Sequence, residues 1–255
     1  MKKISAIIVL CATLAVMLLG FTGCKRVDAI LEQAVTFKPE GEVHSLNIEV
    51  NAADFRIEAG DELKVESNLK FLSVSDRNGV WSIIDETKNA KSYLGAMLTI
   101  YVPEGTVFNE VEIKTGAAKI NIGTLSADSV ELELGAGDAR FEKLNVTSDI
   151  EIEGGAGQIT IVNGSLNNLT LEMGVGELNL TATLLGKSDL NLGVGESNIT
   201  LIGSKDDYRI DVEKGVGTVT IDGKEVTDFG SSGNGEAIVD IDGGIGRINV
   251  SFLEK

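Results

Sequence analysis

At 255 residues the chain is long enough to bury a sizeable core, and its 39 acidic against 22 basic residues give a formal net charge of −17 at neutral pH. That balance argues against nucleic acid as a partner and against electrostatic docking on anionic lipid. One histidine and two cysteines leave little material for nucleophilic or zinc chemistry.

The chain opens with Lys2 and Lys3 ahead of an apolar run over residues 4–19, the pattern of a targeting segment. At 16 residues that run is short for a bilayer span. It closes in GFTGC, where Gly23 directly precedes Cys24, and this resembles the lipobox of bacterial lipoproteins. The resemblance implies a signal peptide over residues 1–23, removed before Cys24 receives a diacylglyceryl lipid. Phe21 departs from it, standing where an aliphatic residue is usual; the competing readings are an ordinary secretory signal or a membrane anchor. Cys11 lies in the discarded segment, so the mature chain holds one cysteine and no internal disulfide. Loss of residues 1–23 removes two lysines and no acid, taking the charge to −19.

Residues 24–45 read as the lipidated cysteine and a short tether, with a helical turn over 27–34 and a turn over 39–41. Residues 46–110 read as a first coil, LNIEVNAADFRI, followed by an N-terminal β cap. LKVES, KFLSV, GVWSII and MLTIYV are strands, Asn78-Gly79 is the tip of a hairpin, and Trp81 packs the cap. Open solenoid ends expose unpaired strand edges, which a cap covers.

Residues 111–255 form a repeat array. SVELELGAGDARF recurs as DIEIEGGAGQITI, LTLEMGVGELNL, SDLNLGVGESNITL, YRIDVEKGVGTVTI and AIVDIDGGIGRINV. Gly116, Gly135, Gly155, Gly174 and Gly193 fall 19, 20, 19 and 19 residues apart, and Gly215 and Gly244 follow at 22 and 29. A fixed short period predicts an all-β, single-domain β-solenoid. Alternation on both sides of the glycines predicts two strands per coil, with Val130 and Leu132 before the corner and Ala139 and Phe141 after it facing inward.

The second glycine of each corner is Gly137, Gly157, Gly176, Gly195, Gly217 or Gly246. In imperfect copies Asn51 replaces the first glycine and Ala53 or Ala118 the second. Asparagine tolerates positive φ best among non-glycine residues, so the first corner residue is expected to be left-handed and the second chosen for size. The residue between them (Ala136, Ala156, Val175, Val194, Val216 or Ile245) is expected to plug the core. Two loops, residues 205–208 and 222–237, break the period, and residues 251–255 are expected to blunt the last edge with charge.

The glycine pairs lack the third glycine of a dinucleotide fingerprint and lead into strands, not helices. Ile159 and Ile248 stand where a calcium-binding glycine-rich repeat needs aspartate. His44 is the one histidine. The acidic residues are sorted: twelve of sixteen outward positions on the pre-corner strands are carboxylates, Glu131, Glu133, Glu151 and Glu153 among them. The post-corner strands are near neutral and rich in Asn and Thr. Stacked carboxylates suit a solvated face or a weak divalent cation. No cofactor is expected and no protein ligand set for a metal stands out. A carboxylate mechanism would have to pair Asp222 or Asp228 with Glu225 or Glu236.

The lipobox, the LNIEVNAADFRI entry, the TIYVPEG turn and the xGxGxxxI coils together resemble the bacterial putative-adhesin family, a β-solenoid domain of unknown function, over roughly residues 42–252. The resemblance implies an extracytoplasmic, lipid-anchored envelope protein and supplies no catalytic residues. The expected function is a non-catalytic binding or structural module with an envelope polysaccharide or protein as partner. The alternative is a carbohydrate-active β-helix enzyme.

Overall fold

The computed structural model describes residues 31–88, 93–227 and 229–254. They form a β-solenoid whose strands join in a single sheet of 17 strands, with one 3₁₀ turn as its only helical element among the described residues. The regular coils lie in β8 (Phe108–Ala117), β9 (Lys119–Ile161), β10 (Gly164–Asn167), β11 (Leu169–Leu185) and β12 (Lys187–Ile202). β9 runs 43 residues because hydrogen bonding continues around the corners. Adjacent coils pair in parallel and in register: Leu171 lies between Ile152 and Leu190, and Leu178 between Ile159 and Ser197. Every inward strand position read from the alternation on either side of the corners is buried, Val130 and Leu132 at 2% and 0%, Ala139 and Phe141 at 4% and 0%.

Each coil has three sides where two were expected. The third is a short ladder in which Leu166 pairs with Val146 on one side and Leu184 on the other. Its inward residues, Leu144, Val146, Leu166 and Leu184, are buried like those of the longer strands. The stretch is only four residues long in β10, too short for alternation to separate it from a loop.

Both ends are closed by antiparallel strands. At the N-terminal end, β2 (Ser45–Val50) and β3 (Asp54–Ala59) form a coil between β8/β9 on one side and β6 (Val80–Asp85) and β7 (Met97–Val102) on the other. β5 (Leu72–Arg77) folds antiparallel onto β6 through the Asn78-Gly79 turn, whose φ values are 54° and 77°. β4 (Lys64–Leu69) covers β7, and Trp81, pairing with Leu46, is fully buried as expected. β1 (Leu31–Phe37) extends this cap antiparallel to β4, so residues 31–34 are strand and not the helical turn expected there.

The C-terminal end departs from sequence order. β17 (Ala237–Leu253), the last strand in the chain, inserts between β12 and the coil formed by β13 (Tyr208–Glu213) and β14 (Val216–Ile221). The terminal coil is therefore β13/β14, and its edge is covered by β15 (Lys224–Val226) and β16 (Phe229–Ser232), both antiparallel. The end is blunted by strands from the 222–237 loop, and the charges of residues 251–254 do not perform that task.

The corners reverse the sequence-based assignment. The second glycines, from Gly137 to Gly246, carry φ between 125° and 148°, a region essentially closed to side chains, whereas none of the first glycines has positive φ. The first glycines are required by close approach: a Cβ on Gly135 would fall under 3.0 Å from the Gly116 carbonyl of the coil below. Asn51 is not left-handed either. Its amide donates to the Asp85 carbonyl at 2.8 Å, tying the first coil to the cap.

The middle corner residue also turns outward. Val175, Val194, Val216 and Ile245 are 46% to 70% exposed. The inward corner position is instead the residue before the first glycine: Leu134, Met173 and Leu192 are buried. Where that residue is Gly154 or Gly243, the space is filled from five residues on, Ile159 and Ile248 placing Cδ1 2.8 Å and 2.9 Å from where a Cβ would stand. Leu134 and Leu192 face the smaller Ala139 and Ser197. In these four coils the core matches large to small across the bend, whereas the Met173 coil carries a second large residue, Leu178, at the same offset.

Candidate functional site

The two loops that break the period meet on the third side. The Gly235 N–H donates to the Tyr208 carbonyl at 3.1 Å, and a 3₁₀ turn at Lys205–Asp207 is closed by a capping box, with the Asp207 carboxylate accepting from the Ser204 N–H at 2.7 Å. A groove results, lined by Leu185, Gly203, Asp206, Asp207, Glu236 and Glu254 among others. Tyr208 closes its floor: its hydroxyl donates to the Ile202 carbonyl at 2.8 Å, and burial pushes its pKa up.

Of the carboxylates expected to pair for catalysis, only Glu236 lines this groove. Asp222 forms the β14–β15 hairpin turn with Gly223, with φ of 51° and 71°, and Glu225 sits on β15 with Lys214 Nζ 4.0 Å away. Asp228 and Cys24 lie outside the described residues. No group of three or more His, Cys, Asp or Glu side chains among the described residues is placed to hold a metal ion.

The acidic positions fall into two outward columns on the pre-corner side. In one, Asp189 stands beside Asp240 and Asp240 beside Asp211; in the other, Glu153 stands beside Glu172, and Asp242 beside Glu213. Two lysines interrupt the repulsion. Lys114 Nζ lies 2.8 Å from Glu112 and 2.6 Å from Glu133, which raises its pKa, and Lys187 Nζ lies 2.7 Å from Asp189 and 3.2 Å from Asp240. Glu153, Glu172, Asp242 and Glu213 form no ion pair among the described residues. The post-corner side satisfies itself: Asn198 donates to Asn179 at 3.2 Å, Asn249 to Asn198 at 2.9 Å and Thr220 to Asn249 at 3.1 Å.

Between the acidic columns and the exposed corner residues runs a second groove, parallel to the stack, with Glu133, Glu153, Glu172 and Asp242 along one wall and Val194 and Ile245 on the other. Its floor is corner glycine backbone, with Leu134, Met173 and Leu192 beneath. Alternation in the sequence gives no sign of it, because period two, carried through the corner, assigns the valines to the core.

A three-sided solenoid capped at both ends, with carboxylates that follow the repeat, defines the chain as an all-β solenoid domain. The sequence model of the Toastrack DUF4097 family matches residues 39–250, and the chain belongs to that family. No curated protein matches the chain. Among solved structures it is similar to a putative cell adhesion protein of Clostridium sporogenes, at 17% identity and a TM-score of 0.33 over 87% of this chain and 98% of that one. It is also similar to a putative adhesin of Bacteroides fragilis, at 13% identity and a TM-score of 0.39 over 85% and 95%. A putative lipid binding protein of Parabacteroides distasonis aligns at 14% identity and a TM-score of 0.37 over 86% and 96%.

Proposed function

We propose that the protein is an extracytoplasmic lipoprotein, anchored through Cys24, whose solenoid serves as an adhesin-like, non-catalytic binding module of the cell envelope. The observation that carries this reading is the arrangement of the carboxylates. Catalysis needs unlike groups converging on one point with separated pKa values, whereas these acids repeat from coil to coil along the pre-corner face. The GFTGC motif supplies the anchor. Cys24 lies seven residues before Leu31, where β1 begins, a reach of about 25 Å at most, so the solenoid rides close to the membrane.

Two measurements test the reading. Cys24→Ala should move the protein from the membrane fraction to the soluble one or leave the unprocessed precursor, and a fatty-acid label should be lost with it. Incubation with a panel of envelope and plant polysaccharides should release no new reducing ends. Release that vanished in the Asp206→Asn, Glu236→Gln variant would make the protein a hydrolase instead.

A further inference from the structure

Val175, Val194, Ile245 and Val216 form one continuous exposed ridge: Val175 pairs with Val194, Val194 with Ile245, and Ile245 with Val216. Their exposures are 55%, 46%, 56% and 70%. The fold does not demand branched aliphatics there, since Ala117, Ala136 and Ala156 occupy the same position in earlier coils. Opposite the ridge, across the glycine floor, Glu153, Glu172 and Asp242 carry negative charge with no cation paired to them among the described residues. From Leu134 to Ile245 the groove crosses five coils, about 20 Å at ~4.8 Å per coil, which is the length of about six extended residues.

We propose that this groove binds an extended cationic peptide segment in which Lys or Arg alternates with aliphatic residues. In such a segment successive side chains point to opposite sides, so one set meets the carboxylate wall while the other covers the valine ridge. Charge complementarity selects this occupant. A second copy of the chain brings the same carboxylates and a net charge of −17, and an anionic lipid surface is repelled in the same way. The asparagine-laddered post-corner side, whose polar groups already bond one another, offers no such pair of an acidic and an aliphatic wall. The proposal rests on the reading of the domain as a binding module and names the site and ligand chemistry within it.

The test uses the full-length chain in a neutral detergent and a fluorescein-labelled heptapeptide of alternating lysine and valine, read by anisotropy at low salt. This peptide should bind, and its glutamate–valine counterpart should not. Glu153→Gln, Glu172→Gln, Asp242→Asn should weaken binding at least tenfold, and Val175→Thr, Val194→Thr, Ile245→Thr at least fivefold, with melting temperatures little changed because these side chains are exposed. Asp206→Asn, Glu236→Gln, Glu254→Gln removes the same charge at the other groove and should leave binding intact. Equal loss in that control, or no loss in either groove variant, overturns the proposal. So does a valine-ridge variant that turns a dimer into monomers in sedimentation, since the occupant is then a second copy. Envelope material still captured by the ridge variant would leave the module reading standing while removing this site from it.

Discussion

The matching of large to small across the corner can be tested by exchanging one pair for another. Gly154→Leu brings a side chain into space that the Ile159 Cδ1 already fills, 2.8 Å from the new Cβ, and overpacking of this kind costs about 1–3 kcal/mol. Ile159→Ala removes most of a side chain that is 3% exposed, at a cost of about 2–5 kcal/mol. The double variant recreates the Leu134/Ala139 pair of the coil below. Position 154 has no positive φ, and Met173 Cγ on the other side is 3.7 Å away, so the backbone and the next coil accept the leucine. The two changes should therefore couple by about 2 kcal/mol, with the double variant more stable than Ile159→Ala alone. Urea midpoints with unchanged m-values measure this. Additive effects within about 0.5 kcal/mol would refute pairwise filling of the corner.

Ser188 is fully buried between Leu169 and Val239 columns with no hydrogen-bond partner for its hydroxyl among the described residues, so Ser188→Ala should raise stability by about 1 kcal/mol; a lower urea midpoint would contradict that. Gly137→Ala combines a φ of 125° with a Cβ driven into the Ala118 carbonyl, and should cost about 3 kcal/mol or prevent folding. Gly105→Ala, at φ 82° but in open space, should cost only about 1 kcal/mol, and equal losses at the two sites would remove the steric argument. Burial raises the native pKa of Tyr208 above its unfolded value, so its contribution is complete below pH of about 10 and is lost as pH climbs through the native value. Tyr208→Phe should flatten part of the alkaline fall in melting temperature, and an identical pH profile would show that another group governs it.

The repeat carried most of the architecture, because period-two alternation records which side of a strand is buried, and all the inner residues of the long strands are where it puts them. It failed at the corners for a physical reason. Alternation assumes pleated backbone, and the residues from Leu134 to Ala139 do not keep it: Leu134 and Ala139 both face inward across a glycine at φ 125°. The substitution pattern misled for a related reason. Asn51 and Ala118 belong to the first coils, where the corner adopts ordinary φ, so they report local geometry there and not the conformation of Gly135 or Gly137. The corner groove was illegible because its valines look like core. The Asp222-Gly223 turn, by contrast, is a hairpin signal as plain as Asn78-Gly79, and it announces the closing strand β15.

The insertion of β17 joins these features. A parallel stack ends in a row of unpaired N–H and C=O groups, and an antiparallel strand can cover them only if the chain turns back within a few residues. β15 does so directly after β14, and β16 returns along β13. In chain order the end cap therefore precedes the last strand, and that strand lies inside the stack rather than at its end. It fills the space between β12 and β13, two strands that Lys205–Asp207 connects, and pairs along both edges. Its arrival places Ile245 between Val194 and Val216 and Asp242 between Asn191 and Glu213. Without β17 the ridge would break between Val194 and Val216 and the carboxylate wall would lack Asp242, so the groove proposed to bind a cationic segment depends on this strand.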